Sequence, residues 1–518
     1  MSPFRRDRHL TRAVALVAAA ALLHGCTVWR AEPLLPSTFG AGAQRGLVRV
    51  TLPDGNRLSL RNPVILGDSL IGQPADGKDP NGRVAVALAD VRMTEVSHID
   101  GNKTVSVVFG VGAMVLLIAA LASSDPPPPP PPSGGCAGCT FSCPLIYSWD
   151  GHEWRLDSGT FGGAIVEALA RTDVDNLVFA RAVDGRVRLR LVNELNETDY
   201  ADAVHLLAVD HDPDVSVAPD AAGALHTFGA AQPPIRATDY RGTDVLARVR
   251  AVDGWQWESV PTGRDTSRAA DLWDGLVLTF ARPRGAQEAR LVLDANNTPW
   301  AAAMLGLFVQ AHGSATAAWY DSLNHSPALA GGLGERLARE AFLTVAVKTG
   351  AGWTPQGRVW EAGPEVSKRQ VVRLDLSGVS GDTIRVRLDA PAAFWIIDRV
   401  AIDYGPERPL RVTELRPHSA VTFSGTDVRA VLDSTDRASF RMETGEGAIV
   451  SFIVSPPMTG QARSYLVRSS GWYRIHTTAV GAPDSVLLRR VMSEPGAIGK
   501  ISVAQLNVAL ARLEAQSR

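Results

Sequence analysis

No block of one charge runs through the 518 residues, because 52 lysines and arginines nearly balance 54 aspartates and glutamates. A nucleic-acid role therefore lacks the basic stripe from which it would start. Catalytic signatures are missing as well: G-x-S-x-G, H-E-x-x-H, the phosphate-binding loop and the dinucleotide fingerprint do not occur in a suitable context. No catalytic residue, cofactor or resident metal is assigned. Cysteine is scarce, with four in the whole chain, so a site needing four thiolates would take all of them. The length divides into roughly three to four folding units.

What is present begins with location. Arg5, Arg6, Arg8 and Arg12 form a basic region ahead of the short apolar stretch AVALVAAAALL, the pattern of an export signal. That stretch is too short to span a bilayer core of about 30 Å. It ends on Leu23-His24-Gly25-Cys26, which resembles the lipobox of bacterial lipoproteins, although His24 departs from the small residue usual at its position. The resemblance covers residues 1–26. It implies a signal peptide over 1–25, a diacylglycerol and palmitate-type anchor on Cys26, and a tether over 26–45. Thr27, not Asp, follows the cysteine, which by the same resemblance favours the outer membrane.

Residues 46–103 read as a small β domain. LVRVTL, RLSL, VILGDSLIG and RVAVALADVRMTEV are strand-like and are separated by turn residues at Asp54-Gly55 and Gly67-Asp68. Five or six strands in so short a stretch predict a closed or half-closed barrel, which would protect their edges. Residues 104–124 carry no charge and are long enough for a transmembrane helix, with a buried helix or hairpin as the alternative. A full crossing would put the rest of the chain in the cytoplasm, whereas Lys103 votes for the opposite orientation. Outer and inner membrane both stay open. Residues 125–143 form a Pro/Gly/Cys linker, whose seven prolines predict a semi-rigid spacer.

Cys136, Cys139 and Cys143 close that linker with the spacing C-x2-C-x3-C. Structural zinc takes four ligands, and with Cys26 assigned to lipid only His152, beside the Asp150-Gly151 turn, is near enough to be a fourth. Outside the cytoplasm the leading expectation is a disulfide with one cysteine over; inert thiols and a metal site remain as alternatives.

Beyond Pro144 the pattern is strand after strand. A β domain over 144–298 is followed by a helical insertion over 299–346, where apolar residues recur at intervals of three and four. β-sandwich strands over 347–408, a β section over 409–482 and a terminal helix over 500–518 complete the expected order. The fold class is thus mainly β, with antiparallel sandwiches. FWIIDRVAIDYG resembles the closing strand of jelly-roll binding modules, and the whole region resembles large β-rich proteins exported by bacteria. Within it, Trp300, Trp319 and Tyr320 could cap a sugar or pack in a core. Asp210 and Asp212 in VDHDPD suit a shared calcium ion or a solvated turn. Asp398 and Asp403 are too far apart along a strand to form a glycosidase pair. The functional expectation is a membrane-tethered structural or interaction protein of the bacterial envelope, its main β region outside the cytoplasm. Its partners would be membrane lipid and a protein or glycan. A carbohydrate- or peptide-binding module is the alternative, and an exported hydrolase comes after that.

Overall fold

Alternating apolar residues set the strands of this computed structural model, which describes residues 27–31, 47–99 and 143–516 apart from 53–55, 67–68, 76–82, 92, 260–265, 268–270, 361–362 and 437. Cys26, Cys136, Cys139, the apolar run 104–124 and the proline linker lie outside the described residues. Among the described residues no helix is long and apolar enough to cross a membrane.

The N-terminal strands are β1 (Thr27–Ala31), β2 (Leu47–Thr51), β3 (Arg57–Leu66), β4 (Ser69–Pro74), β5 (Val84–Ala87) and β6 (Met93–Ile99). They lie in the order β1-β6-β2-β3-β4-β5 around a small core of Val48, Val50, Leu60, Leu70, Val86 and Val96. Closure into a barrel is corrected: among the described residues no sheet closes on itself. The edge of β1 that would have met β5 is taken by a later strand, β8 (Trp154–Gly159), with Trp29 bridging Arg155 in parallel. A buried ion pair, Glu95 with Arg155, and a second, Arg49 with Glu153, fasten the small unit there.

The first sandwich draws on two distant stretches of chain. β7 (Leu145–Trp149) and β8 form the expected hairpin. Asp150 shapes its turn by accepting the N–H groups of His152 and Glu153. β9 (Arg171–Leu177), β10 (Arg186–Val192) and β11 (Glu197–His211) follow, then the hairpin β12 (Ser216–Pro219) and β13 (Leu225–Phe228).

The chain then builds a second sandwich. One sheet has the order β14-β16-β21-β18-β19 and the other β15-β22-β17-β20. These are β14 (Arg236–Asp239), β15 (Trp257–Glu258), β16 (Trp273–Ala281), β17 (Glu288–Asn297), β18 (Leu343–Thr349), β19 (Gly352–Val359), β20 (Lys368–Asp375), β21 (Thr383–Pro391) and β22 (Trp395–Asp403). Ahead of the Asp253-Gly254 turn the chain makes a single helical turn, α1 (Leu246–Val249). The helical insertion forms as expected: α2 (Pro299–Gln310), α3 (Thr316–His325) and α4 (Pro327–Glu340). Thr298 and Ser326 cap α2 and α4, each ahead of a proline at the start of its helix.

Only then does the chain return to complete the first sandwich. β23 (Arg411–Leu415), β24 (Ser419–Thr422), β25 (Phe440–Met442), β26 (Gly447–Ile453) and β27 (Ala462–Ile475) join the strands laid down before the second sandwich. β26 pairs with β10 and β24, while β27 runs along the whole of β11. Gly471 allows that approach: a Cβ there would lie 2.2 Å from the Tyr200 carbonyl oxygen and 2.7 Å from the Phe161 ring. Two further helices, α5 (Ser485–Ser493) and α6 (Ala497–Gln516), pack beside the helical insertion. One continuous apolar core joins both sandwiches and the helices.

Candidate functional site

Of the three-cysteine cluster, Cys143 alone is described, and it sits in the core. Its backbone takes φ +141°, a region side chains rarely adopt, and its N–H donates to Glu197 Oε1 at 2.8 Å. Glu197 and Asp199, two apart at the start of β11, are both fully buried. Burial pushes Glu197 up to about 8, against the pull of the Cys143 N–H. Asp199 is pushed well above the usual carboxylate range by burial and by Glu197 beside it. The two carboxyls are close enough for each to bear on the other's ionisation. This is protonated-acid chemistry, yet neither residue lines the cavity between the helices or the cleft at the sandwich seam described below.

The acidic cluster of VDHDPD is neutralised by arginine. Arg463 holds both oxygens of Asp210, at 2.6 and 2.8 Å, and Arg408 reaches Asp212 and Asp214, each at 3.0 Å. Asp403 binds Arg290 at 2.6 Å. Asp398 is the extra residue of a β-bulge between β17 and β22, since Arg399 pairs with Asp294 and Ile397 with Ala295. Burial, with Asp294 and Asp253 nearby, raises Asp398 well above the ordinary value. The two acids on β22 therefore have different partners and form no pair. Among the described residues no group of three His, Cys, Asp or Glu is placed to hold a metal ion.

Where β9 meets β20, at the seam of the two sandwiches, four charges are packed together. Lys368 Nζ lies 2.9 Å from Asp175 and 3.8 Å from Asp173, and Arg171 lies 2.5 Å from Asp173. The Ser158 hydroxyl donates to Asp175, and the Phe161 N–H donates to Asp173. Burial acts to raise Asp173, but Arg171 and Lys368 outweigh it and hold the group below its usual range. For Asp175 burial wins over Lys368. The cleft beside them, edged by Trp360, Asp220 and Gln370, measures about 20 Å³. That is room for one water and not for a substrate.

The larger cavity, about 120 Å³, lies between α2, α4 and the terminal helices. Met304, Leu305, Phe308, Leu333, Val491 and Ile501 line it, and Asn297 and Gln505 supply its polar side chains. Its size is comparable with a dry engineered cavity of about 150 Å³ that accepts benzene. Trp300 is buried, with its indole N–H on Ser502, and Trp319 stacks on His312 at 3.8 Å. Both indoles therefore pack within the helical layer.

An ion pair on α4 helps to hold the terminal helices over the cavity. Arg336 donates to the carbonyls of Met492 and Glu494 at the end of α5, while Glu340 accepts the N–H groups of Gly496 and Ile498 at the start of α6. The two side chains also bind each other. Each charge thus meets the helix end of opposite polarity. Glu340→Ala should cost about 1–3 kcal/mol and speed hydrogen exchange across 485–516 while leaving the β core protected. Unchanged exchange in that segment would show that the clamp holds nothing. No known protein family and no curated protein matches this chain.

Proposed function

We propose that the chain is a lipid-anchored structural or interaction protein of the bacterial envelope, tethered through Cys26, with no catalysis assigned to it. Two observations support this reading: the acids raised furthest stand apart from the cavity between the helices, and the cleft lined by Asp173, Asp175 and Lys368 has room for one water and not for a substrate. Glu197, Asp199 and Asp398, the acids raised furthest, line neither the cavity between the helices nor the cleft at the seam, and the former has no titratable side chain. Acid–base catalysis needs titratable groups and substrate space together. The balanced charge of the chain supports a protein, glycan or lipid partner over a nucleic acid.

The anchor rests on the sequence of residues 1–26, and the extracytoplasmic placement on Lys103 and the exported character of the β region. Metabolic labelling with a palmitate analogue should mark the wild type and not Cys26→Ala, and the variant should leave the membrane fraction. Equal labelling would remove the anchor. A membrane-impermeant maleimide, applied to intact spheroplasts after an impermeant phosphine, should reach Cys136 and Cys139. Cys143, buried in the core, should react only after unfolding. Reaction of Cys136 and Cys139 only after lysis would place the sandwiches in the cytoplasm.

A further inference from the structure

The outer face of the sheet β14-β16-β21-β18-β19 carries a straight row of side chains across all five strands. Arg236 pairs with Thr279, and Thr279 with Arg385. Val347 pairs with Val386, which sets Lys348 beside Arg385 one step along, and Lys348 pairs with Trp353. Strands lie about 4.8 Å apart, so the row is roughly 19 Å long. Arg236, Arg385 and Lys348 are exposed, and Trp353 is half-buried. Arg387, in the next row, stands over the Trp353 ring at 4.9 Å, with Arg385 and Lys348 each at 5.7 Å. Arg387 is paired with Asp389. Among the described residues no carboxylate makes an ion pair with Arg236, Arg385 or Lys348.

The geometry points to this row as a binding site for a linear anionic glycan lying across the strands. Three charges without partner carboxylates call for anions, since like charges gathered on one face repel until counter-charge arrives. Guanidinium groups suit sulfate, phosphate or carboxylate through paired donors. The Thr279 hydroxyl between two arginines and the indole at the row's end are the polar and ring contacts that a sugar backbone uses. A membrane surface fits less well, because Trp353 is half-buried among cations and does not project as an interfacial anchor does. This inference gives a ligand class to the proposed interaction role, but it needs neither the anchor nor the export of the chain.

Heparin, a linear sulfated glycan, is the probe, with purified protein and isothermal titration at low salt. The double variant Lys348→Ser/Arg385→Ser should bind at least tenfold more weakly with an unchanged thermal midpoint. Arg236→Ser, at the far end of the row on an edge strand, should weaken binding severalfold and serves if the double variant does not fold. Trp353→Leu should weaken heparin more than it weakens polyphosphate, which has charge and no sugar. Unchanged affinity in both charge variants overturns the proposal. So does equal loss for the two polymers on replacing Trp353, or capture of the wild type by phosphatidylglycerol vesicles with no affinity for heparin. Failure of the Cys26 labelling would leave this site standing, and failure here would leave the anchor standing.

Discussion

Lys368→Met should lower the free energy of unfolding by about 3–5 kcal/mol, because it strands a carboxylate in the seam between the sandwiches. Lys368 and Arg171 balance Asp173 and Asp175; Lys368 and both aspartates are buried, and Arg171 is half-buried. With the lysine gone, Asp175 keeps only the Ser158 hydroxyl. Its best escape is to take up a proton, so the defect should shrink as the pH falls from 8 to 5. Removing both partners, as Lys368→Met/Asp175→Asn, should recover much of the loss, since the cost lies in the uncompensated charge and not in the missing bond. Urea unfolding of the three proteins decides it. Equal destabilisation of the single and double variants would mean that Lys368 contributes packing alone.

Glu197→Gln should stabilise the protein at pH 8 and change little at pH 5. An acid held at about 8 in the fold, against an ordinary value of 4.5, keeps its proton across the window in which the unfolded chain releases it. The unfolded state then binds fewer protons than the native state, so stability falls by about 1.4 kcal/mol per pH unit from near 4.5 up to the folded value. Relaxation of the pair with Asp199 will reduce the total, and a gain on the order of 3 kcal/mol for the glutamine variant at pH 8 is expected. Asp199 is raised in the same sense, so a slope of the same sign should survive in the variant. Denaturant midpoints at pH 5, 6.5 and 8 test the sign. A wild type that grows more stable towards pH 8 would contradict the assignment.

The sequence shows these elements unevenly, and the reason is where each strand finds its partner. The β7–β8 hairpin was legible because its turn, Asp150-Gly151, and both of its faces lie within fifteen residues. The helical insertion was legible from its spacing and its prolines. β9 was not: RTDVDNL places Asp173 and Asp175 on one face, which reads as solvent-facing until Lys368 is brought across from the other sandwich. The start of β11 is hard to recognise as a strand, because its first residues include Glu197, Asp199 and Asp202, and acids rarely mark a buried strand. The terminal helix was anticipated, but α5 before it was not. Its pattern has Val491 as its sole buried side chain, and its place depends on Arg336 some 150 residues upstream. The row ending at Trp353 shares this difficulty, since it runs across strands and no two of its members are neighbours in sequence.

Because β11 meets β27 only after the second sandwich has been made, with Asp210 and Arg463 253 positions apart, the first sandwich is finished last. At synthesis rates of about 5–20 residues per second, β11 waits roughly ten to fifty seconds for its partner. A waiting strand with open hydrogen-bonding edges invites pairing with other chains. In the unfolded chain at neutral pH, Glu197, Asp199 and Asp202 are all ionised. Charges of one sign at the head of an apolar strand oppose stacking with copies of themselves. The acids that burden the finished fold would thus protect the chain during the interval before β27 arrives.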